Sequence, residues 1–434
     1  MKARTSVELR DPIHGAIGVD LREMQVIDAP LFQRLRGIRQ LGFAELVYPG
    51  AVHNRYLHSV GAMHLAGRAF DSVFKEADWL SREQKERFRQ IVRLAGLLHD
   101  IGHAPLSHAA ESLMPMRNTL GLEAYGVGTG QASHEEMGLK LLVDSPLTQR
   151  LDEAFASMGI SSTHVATVLG TFSSNCEEDF VVDGIDHRPV LHSLVSGELD
   201  IDRMDYLLRD SYFTGVSYGR YDLTWLLSNL QLYIDAERKA RLAFGIKALP
   251  TFEHFLLARY HMFQMVYFHP KSDIYDAMLR RWLEDEGDSV RFPSDPDAYV
   301  ALNDAWLMNR LRESNNLWAR RVQEQTPYRL VCELRTHEQK KQRDSIDGAM
   351  KAAGIDVLWL RAAHVLSRYA QSPAKLARNP IYVHDTLGPG ERMTMRIDAA
   401  TDLFDRYEKN QTIERLYVTP EQRDAALAIL AQTK

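Results

Sequence analysis

The hydrophobic pattern of this chain is most regular just before a cluster of histidines. Its apolar positions recur at helical spacing and are Ile91, Leu94, Ala95 and Leu98. One face of a predicted helix therefore ends at His99 and Asp100, and Gly102 and Pro105 stop or bend that helix. An imidazole and a carboxylate at the inner end of an apolar helix are costly to bury unless they pair with each other or bind a metal.

The same periodicity predicts further helices along the first three quarters of the chain. One helix is predicted over residues 28–42, with Asp28 as its N-cap, Pro30 near its first turn and Gly42 at its end. Other helical stretches run from His58 through Phe70, from Ser133 to about residue 170, over 197–210, and over 250–285 with an interruption at Pro270.

The pattern changes at residue 327. Short segments rich in β-branched and aromatic residues then alternate with charged helices. These β-rich segments are residues 328–334, 357–360 and 415–418. We therefore predict a mainly α fold with a helical core over residues 1–326 and a small α+β domain over residues 327–434.

Composition narrows the class of protein. The 434 residues are 45% hydrophobic and 25% charged, which is typical of a globular protein. A net charge of −6 does not indicate nucleic-acid binding, although a local basic pocket for one anion is compatible with it. The chain lacks an N-terminal apolar segment and a run of eighteen apolar residues, so we expect a cytoplasmic protein with no membrane span. Cys176 and Cys332 have no CxxC spacing, which predicts neither a disulfide framework nor a thiolate zinc site.

Histidines supply the candidate chemistry, since eight of the 17 lie in the first third of the chain. His99 and Asp100 alone do not make a metal site, and His58 and Asp202 are the candidates that would complete one. From these residues alone, a buried His–Asp hydrogen bond without a metal explains the pair equally well.

The order of the motifs is more specific than any one of them. An H…HD…D pattern runs through the chain, with its fuller motifs at residues 11–15, 32–42, 53–59, 99–108, 133–135 and 200–210. Over roughly residues 8–275 this ordered set resembles the HD-domain deoxynucleoside triphosphate triphosphohydrolases. The resemblance implies an HD-domain helical fold and hydrolysis of dNTPs to deoxynucleoside and tripolyphosphate.

The resemblance also implies the catalytic residues. The metal ligands would be His58, His99, Asp100 and Asp202, which suit a divalent ion such as Mn, Fe, Ni, Zn or Mg. The proton-transfer and phosphate-contacting histidines would be His103, His108 and His134. His103 follows His99 by one turn and would share its face if the helix continued past Gly102.

The substrate-binding residues are implied in the same way. The phosphates would be bound by Arg55, Arg203 and Arg259. The deoxyribose would lie against Tyr206 and Tyr267, with its 3′-hydroxyl on Asp210 and its base near Gln40 and Leu41. A nucleotide activator would bind at Asp28, Gln33 and Arg36. Family members assemble as dimers or tetramers, so the resemblance implies a homo-oligomer.

Some positions depart from the family pattern. Arg203 stands where the human member has lysine, which keeps the charge and changes the geometry. Phe263 stands where that member has a phosphate-contacting histidine, and Val7 and Glu8 replace a basic residue of its activator site. Two alternatives therefore stay open. One is another HD phosphohydrolase reaction on a nucleoside monophosphate, a cyclic nucleotide or another phosphoester; the other is a nucleotide-sensing or nucleic-acid-binding regulator with a vestigial site.

Overall fold

A computed structural model describes residues 6–126, 128–170, 176–364, 379–387, 393–406 and 411–432. The helices up to residue 228 are α1 (Leu21–Ile27), α2 (Pro30–Gln33), α3 (Arg55–Val73), α4 (Arg82–Leu98), α5 (His134–Val143), α6 (Pro146–Phe155), α7 (Ser162–Leu169), α8 (Arg188–Val195), α9 (Ile201–Thr214) and α10 (Leu223–Ser228). The later helices are α11 (Leu249–Met262), α12 (Pro270–Glu286), α13 (Pro296–Tyr299), α14 (Asp304–Glu313), α15 (Leu317–Gln323), α16 (His337–Lys340), α17 (Arg343–Ala352), α18 (Ile397–Ala400), α19 (Leu403–Arg406) and α20 (Arg423–Gln432). A π-helical turn (Phe263–Tyr267) joins α11 to α12.

The strands form small sheets beside these helices. They are β1 (Ser6–Asp11), β2 (Gly15–Asp20), β3 (Val181–Val182), β4 (Ile185–Asp186), β5 (Leu230–Ile234), β6 (Ala240–Gly245), β7 (Arg329–Leu334), β8 (Val357–His364), β9 (Tyr382–Asp385), β10 (Met393–Arg396) and β11 (Gln411–Val418). The sheet orders are β1-β2, β3-β4, β10-β9-β6-β5 and β7-β11-β8. The predicted fold class, mainly helical with a small α+β part, is confirmed.

The helices α3 and α4 form the centre of the core, and α9 packs across α3. Side chains begin each of the two central helices: Asn54 accepts a hydrogen bond from the Leu57 amide, and Ser81 forms a capping box with Gln84. The predicted apolar face of α4 is correct, because Ile91, Leu94, Ala95 and Leu98 are each at most 1% exposed. The helix ends at Leu98 with His99 as its C-cap, close to the predicted end, so His103 does not share a helical face with His99.

The prediction of one continuous helix over residues 28–42 is wrong. Asp28 is the C-cap of α1 rather than an N-cap, α2 is only four residues long, and a 3₁₀ turn follows at Arg34–Gly37. The chain is extended at Ile38 because its backbone is bonded to distant segments: the Ile38 carbonyl accepts from the Arg55 amide. Tertiary contacts outweigh the helical pattern here.

The C-terminal part packs on the helical core through one face of a sheet. On β11, Leu416 and Val418 point into a small core shared with α17 and α20, while Tyr417 belongs to the main core. This alternation follows from the two-residue period of a strand. Strands β9 and β10 instead extend the sheet that begins with β5 and β6, with β9 parallel to β6. The division of the chain at residue 327 remains a prediction.

In the part of the chain that the structure describes, no helix combines the length and the hydrophobicity needed to cross a membrane.

A buried arginine joins β11 to the start of α12. Arg415 is 1% exposed, and its guanidinium donates to the Asp273 carboxylate and, at 2.8 Å, to the Glu333 carboxylate. The neighbouring Tyr417 hydroxyl donates to the Pro270 carbonyl at 2.9 Å. These bonds attach the C-terminal sheet to α12, directly after the π-helical turn that carries Tyr267.

Arg415→Ala is expected to lower the free energy of unfolding by about 3–5 kcal/mol, because two largely buried carboxylates lose their cation. Urea unfolding followed by circular dichroism measures the loss. The matched control is Arg423→Ala. Arg423 is half exposed, and its ion pair with Asp424 is long, at 4.0 Å. Equal stability of the two variants would contradict the role of Arg415.

Candidate metal centre and active site

The predicted metal ligands lie around one point: His58, His99 and Asp202 each place a ligand atom within 4.8 Å of the others, and Asp100 lies beside His58 and His99. His58 lies in the first half of α3, His99 and Asp100 follow the last turn of α4, and Asp202 lies in the first turn of α9. His58 Nε2 is 3.0 Å from Asp202 Oδ1, 3.2 Å from His99 Nε2 and 3.6 Å from Asp100 Oδ2. His99 Nε2 is in turn 3.4 Å from Asp100 Oδ1 and 3.5 Å from Asp202 Oδ1.

Hydrogen bonds set the tautomers of both imidazoles. His58 Nδ1–H donates to Asp205 Oδ2 at 2.8 Å, and His99 Nδ1–H donates to the Gly96 carbonyl at 2.8 Å. Because each acceptor keeps the hydrogen on Nδ1, each neutral ring presents an Nε2 lone pair to the shared point. Histidines that bind metals are usually oriented in this way by an acceptor on the other nitrogen.

The spacing of these atoms fits a bound ion. Bonds of about 2.0–2.2 Å from a metal to nitrogen and oxygen place neighbouring ligand atoms about 3–3.5 Å apart. The distances among His58, His99 and Asp202 are 3.0–3.5 Å and match that range, while Asp100 oxygens lie 3.4 Å from His99 Nε2 and 3.6 Å from His58 Nε2. Two imidazole lone pairs that face each other at 3.2 Å repel unless a cation or a proton lies between them. The donor set of two nitrogens and two carboxylates suits a divalent transition metal or Mg²⁺.

The carboxylates make this point strongly attractive to positive charge. Burial lowers the pKa of His58, but hydrogen bonds to Asp202 and Asp205 outweigh that effect and raise the pKa to about 10. Burial raises the pKa of Asp202, yet its bonds to His58 and His99 hold the pKa well below the usual range. Metal binding would therefore displace a proton from His58 at neutral pH.

A buried hub that the sequence analysis did not assign supports His58. The Asp205 carboxylate is fully buried and accepts from His58, from His14 Nε2 at 2.6 Å, and from Arg209 Nε and Nη2 at 2.8 and 2.9 Å. Arg209 also donates to Asp11, whose other oxygen accepts the amides of residues 13 and 14. The Asp11-Pro-Ile-His motif therefore acts through this hub and does not itself meet the metal ligands.

Gly61 is the residue on α3 that makes room for this hub. A Cβ atom at that position would lie 2.1 Å from Asp205 Oδ1 and 2.3 Å from Arg209 Nη2. The spacing of Asp205, three residues after Asp202 and four before Arg209, is the signal in the sequence that could have identified it.

The three predicted catalytic histidines form a second cluster next to the first. The rings of His103 and His134 stack with centroids 3.9 Å apart, and His108 meets both edge-on. His103 Nε2 is 3.2 Å from Asp100 Oδ1, so one carboxylate contacts both clusters. His108 is the most open of the three, with a side chain 67% exposed. These imidazoles are also spaced so that they could hold a metal ion.

Glu111 orients two of these histidines and was missed from the sequence. It accepts from His134 Nδ1 at 2.7 Å and from His108 Nδ1 at 3.2 Å. Burial raises the pKa of Glu111, but the two histidines hold it well below its usual range. Burial lowers the pKa of His103, and the nearby cation of Arg55 lowers it further, so His103 is neutral at pH 7.

The loop that carries His103 and His108 has an unusual backbone. Leu106 and Ser107 have φ values of 54° and 58°, a left-handed conformation that costs about 1–3 kcal/mol for each residue with a side chain. Gly102 allows α5 to approach, since a Cβ atom there would lie 2.1 Å from the His134 carbonyl oxygen. The surrounding structure therefore holds the loop in a conformation that its own residues disfavour.

The predicted phosphate-binding arginines are buried beside these clusters. Arg55 donates to Asp100 and, through Nε at 2.8 Å, to the Ser107 hydroxyl. Arg203 and Arg259 meet at the Glu198 carboxylate, at 3.6 and 3.4 Å. The Arg259 guanidinium also lies 5.2 Å from the Phe263 ring centroid.

The predicted sugar-binding residues also lie together. The Tyr267 hydroxyl donates to Asp210 Oδ2 at 2.8 Å, and the Tyr206 and Tyr267 rings meet edge-on with centroids 6.0 Å apart. His53, another residue without an assigned role, donates through Nε2 to Asp210 Oδ1 at 2.8 Å and stacks on Phe213. Burial raises the pKa of Tyr206 to about 12. Asp202, Tyr206 and Asp210 lie along one face of α9, as their spacing predicts.

Gln40 and Leu41 are both partly buried. The Gln40 amide donates to the His53 carbonyl at 3.0 Å, while its side-chain Oε1 is buried without a hydrogen-bond partner among the described residues. A buried acceptor of this kind is costly unless a ligand or water satisfies it. Leu41 is half-buried and packs against the core.

The predicted activator residues surround one tyrosine. Gln33 donates to the Ile27 carbonyl, and Arg36 donates to Gln33 Oε1 at 2.7 Å. The Arg36 guanidinium lies 3.5 Å from the Tyr56 ring centroid. Burial raises the pKa of Tyr56. The Arg36 guanidinium lowers this pKa, and the Asp28 carboxylate raises it. The three predicted residues are therefore neighbours, and a nucleotide site there remains a prediction.

Family models match two adjoining parts of the chain. A model of the HD domain matches residues 55–187, and a model of the HD-associated region matches residues 222–350. The metal-ligand candidates on α3 and α4 lie in the first match. The second match extends beyond residue 327.

Several known proteins are similar in sequence to much of this chain. An uncharacterized protein of Methanocaldococcus jannaschii is 30% identical over 74% of this chain and 58% of its own. The deoxynucleoside triphosphate triphosphohydrolase SAMHD1 homolog of Dictyostelium discoideum is 30% identical over 72% of this chain and 56% of its own. The chain thus spans a little over half the length of these relatives. A solved structure of a hypothetical protein from Aquifex aeolicus has a TM-score of 0.73 and 26% identity, covering 98% of this chain and 100% of that one.

Asp205→Asn is expected to weaken metal binding about 10- to 100-fold, because one amide oxygen cannot accept from His58, His14 and Arg209 together and the tautomer of His58 is no longer fixed. Chelator competition on the folded protein measures the affinity. His14→Ala removes one donor to Asp205 and is expected to produce a smaller loss in the same direction. The control is Asp71→Asn, which changes an exposed carboxylate on the same helix as His58. Unchanged affinity in Asp205→Asn would contradict the assigned role of Asp205.

Proposed function

This chain belongs to the HD-domain phosphohydrolase family, and we propose that it hydrolyses deoxynucleoside triphosphates to deoxynucleoside and tripolyphosphate. The observation that carries the proposal is the arrangement on α9. Asp202 lies beside the other metal-ligand candidates. Tyr206 and Asp210, which would bind the sugar, follow it on the same face of the helix. A metal end and a sugar end on one helix suit attack at the phosphorus nearest the sugar.

His58, His99, Asp100 and Asp202 would hold a divalent ion, which polarises phosphate oxygens and lowers the pKa of bound water. Arg55 then binds phosphate close to that centre, because its guanidinium is held against Asp100. Arg203 and Arg259 bind the outer phosphates, and their planar guanidinium groups suit paired oxygens. Glu198 keeps the two arginines in place.

The histidine cluster moves protons in this proposal. Neutral His103 lies between the Asp100 carboxylate and the His134 ring, where it can accept a proton. His108 and His134 share Glu111 and exchange protons with solvent through the open edge of His108. The departing 5′-oxygen of the deoxynucleoside needs a proton, which an imidazole supplies near neutral pH.

The tyrosines and Asp210 would select the deoxyribose. The Asp210 carboxylate, held by His53 and Tyr267, accepts the 3′-hydroxyl. The Tyr206 and Tyr267 rings form a wall against the sugar carbon that carries a 2′-hydroxyl in ribonucleotides. Gln40 and Leu41 lie toward the base, and the unpartnered Gln40 Oε1 is an acceptor for it.

Regulation by a nucleotide and assembly into a dimer or tetramer are part of the same proposal. Asp28, Gln33 and Arg36 present a carboxylate, an amide and a guanidinium around Tyr56, which suits a purine base and a phosphate. Tyr56 is the residue next to Arg55, so a ligand at that patch would lie close to the start of α3.

Phe263 favours a second candidate, a phosphohydrolase acting on a substrate with fewer phosphates. Its ring contacts Arg259 and meets the Tyr267 ring at 5.0 Å, where the family resemblance expects a phosphate-binding histidine. An apolar ring there offers no hydrogen bond to a terminal phosphate. The products distinguish the two candidates, since orthophosphate would replace tripolyphosphate.

Metal-loaded protein is expected to release deoxynucleoside and tripolyphosphate in equal amounts from at least one dNTP, tested with and without GTP or a dNTP as activator. Ion-exchange chromatography identifies the products. His58→Ala and Asp202→Ala should abolish the release, because each removes a metal ligand, whereas the exposed His337→Ala should not. Release of orthophosphate alone would favour the second candidate, and nucleotide binding without hydrolysis would favour a regulator.

Tyr267→Phe is expected to raise the KM for dNTP about tenfold or more with unchanged metal content, because Asp210 loses a donor that orients it. Steady-state kinetics on dNTP and NTP measure the change and the discrimination against ribose. The control is Tyr212→Phe, an exposed hydroxyl on α9. An unchanged KM would show that the Tyr267 hydroxyl does not orient Asp210 for sugar recognition.

A further inference from the structure

We propose that Asp304 is a positioning residue that holds the histidine loop and the base-side segment of the active site in one arrangement, an inference that rests on the proposed function. Asp304 is the first residue of α14 and is 8% exposed. Its Oδ1 accepts from the Leu106 amide at 2.7 Å, and its Oδ2 accepts from the Arg39 amide at 2.9 Å. One carboxylate therefore joins two segments that are far apart in the chain.

Each of these two segments carries residues of the candidate site. Leu106 lies between His103 and His108 and has the left-handed backbone described above. Arg39 directly precedes Gln40 and Leu41. Ser107 completes the connection, because its hydroxyl donates to the Arg39 carbonyl at 2.8 Å and accepts from Arg55 Nε. A shift of either segment would thus move groups on both sides of the site.

Neighbouring side chains secure the remaining backbone of the loop. Arg34 Nη2 donates to the carbonyls of Ile101 and His103 at 3.0 and 2.7 Å. The Tyr299 hydroxyl donates to the Gly102 carbonyl at 2.8 Å, and its ring lies 4.6 Å from the Arg34 guanidinium. Tyr299 and Asp304 both belong to the HD-associated region, so that region would contribute directly to the geometry of His103.

The carboxylate of Asp304 is not used to start its own helix. Asn303 is the N-cap of α14, and its side chain accepts from the Trp306 amide at 3.0 Å. Both oxygens of Asp304 instead bond to amides of other segments. An amide side chain at this position could accept only one of those bonds, and its NH₂ group would face the other N–H. Asp304→Asn therefore tests the second bond with little change in side-chain volume.

The experiment compares Asp304→Asn with Asp297→Asn, an exposed carboxylate on the preceding helix α13. Asn303→Ala, which removes the cap of α14, serves as a second control for a general loss of stability. Hydrogen exchange measured by mass spectrometry follows the peptides covering residues 38–41 and 103–108, together with α3 and α9. Metal equivalents per chain and the kinetics of dNTP hydrolysis are measured on the same samples.

Asp304→Asn is expected to speed hydrogen exchange in both active-site peptides. The exchange of α3 and α9 and the metal content should stay as in the wild-type protein. The kcat/KM should fall about 10- to 100-fold, mostly in kcat, because misplaced catalytic groups lower the rate more than the binding. Asp304→Glu, which restores two acceptors on a longer side chain, should recover part of the rate.

Unchanged exchange in either peptide would overturn the inference, and so would an increase spread over the whole chain as in Asn303→Ala. The exchange measurement needs no substrate. If the unchanged protein hydrolyses no dNTP, the proposed function fails, whereas the exchange data still decide whether Asp304 holds the two segments together.

Discussion

The candidate site depends on the hydrogen bonds that the buried Asp205 carboxylate accepts. It accepts from His14, His58 and the Nε and Nη2 groups of Arg209, so all of its acceptor positions are used. Burial raises its pKa, but Arg209 and the two histidines hold the pKa well below the usual range. The ionised carboxylate in turn makes His58 present Nε2 to His99, Asp100 and Asp202. The β1–β2 hairpin, α3 and α9 are thereby joined at Asp205, directly behind the metal-ligand candidate His58.

The local part of this arrangement could be predicted from the sequence. The apolar period of α4 correctly places His99 and Asp100 at the inner end of a buried helix, and Ser133 caps α5 as expected. The four-residue spacing on α9 correctly places Asp202, Tyr206 and Asp210 on one face. These features depend on residues within a few turns of one another, so periodicity and capping are sufficient to identify them.

The parts that could not be predicted depend on partners far along the chain. The segment at 28–42 has a helical pattern, yet the Ile38 carbonyl and the Arg39 amide bond to Arg55 and Asp304. Glu111 and Asp304 look like ordinary helix or loop carboxylates until the fold places them beside His134 and Leu106. In each case the bond joins two groups that sequence spacing does not connect. The roles assigned by resemblance, including the activator patch, remain predictions.

The central claim is that one divalent ion lies among His58, His99, Asp100 and Asp202. Anomalous diffraction at the metal's absorption edge, from crystals of the metal-loaded protein, tests it most directly. The account predicts one peak within about 2.0–2.2 Å of a ligand atom from each of these residues. A peak among His103, His108 and His134 alone, or no peak at either cluster in protein that contains bound metal, would contradict it.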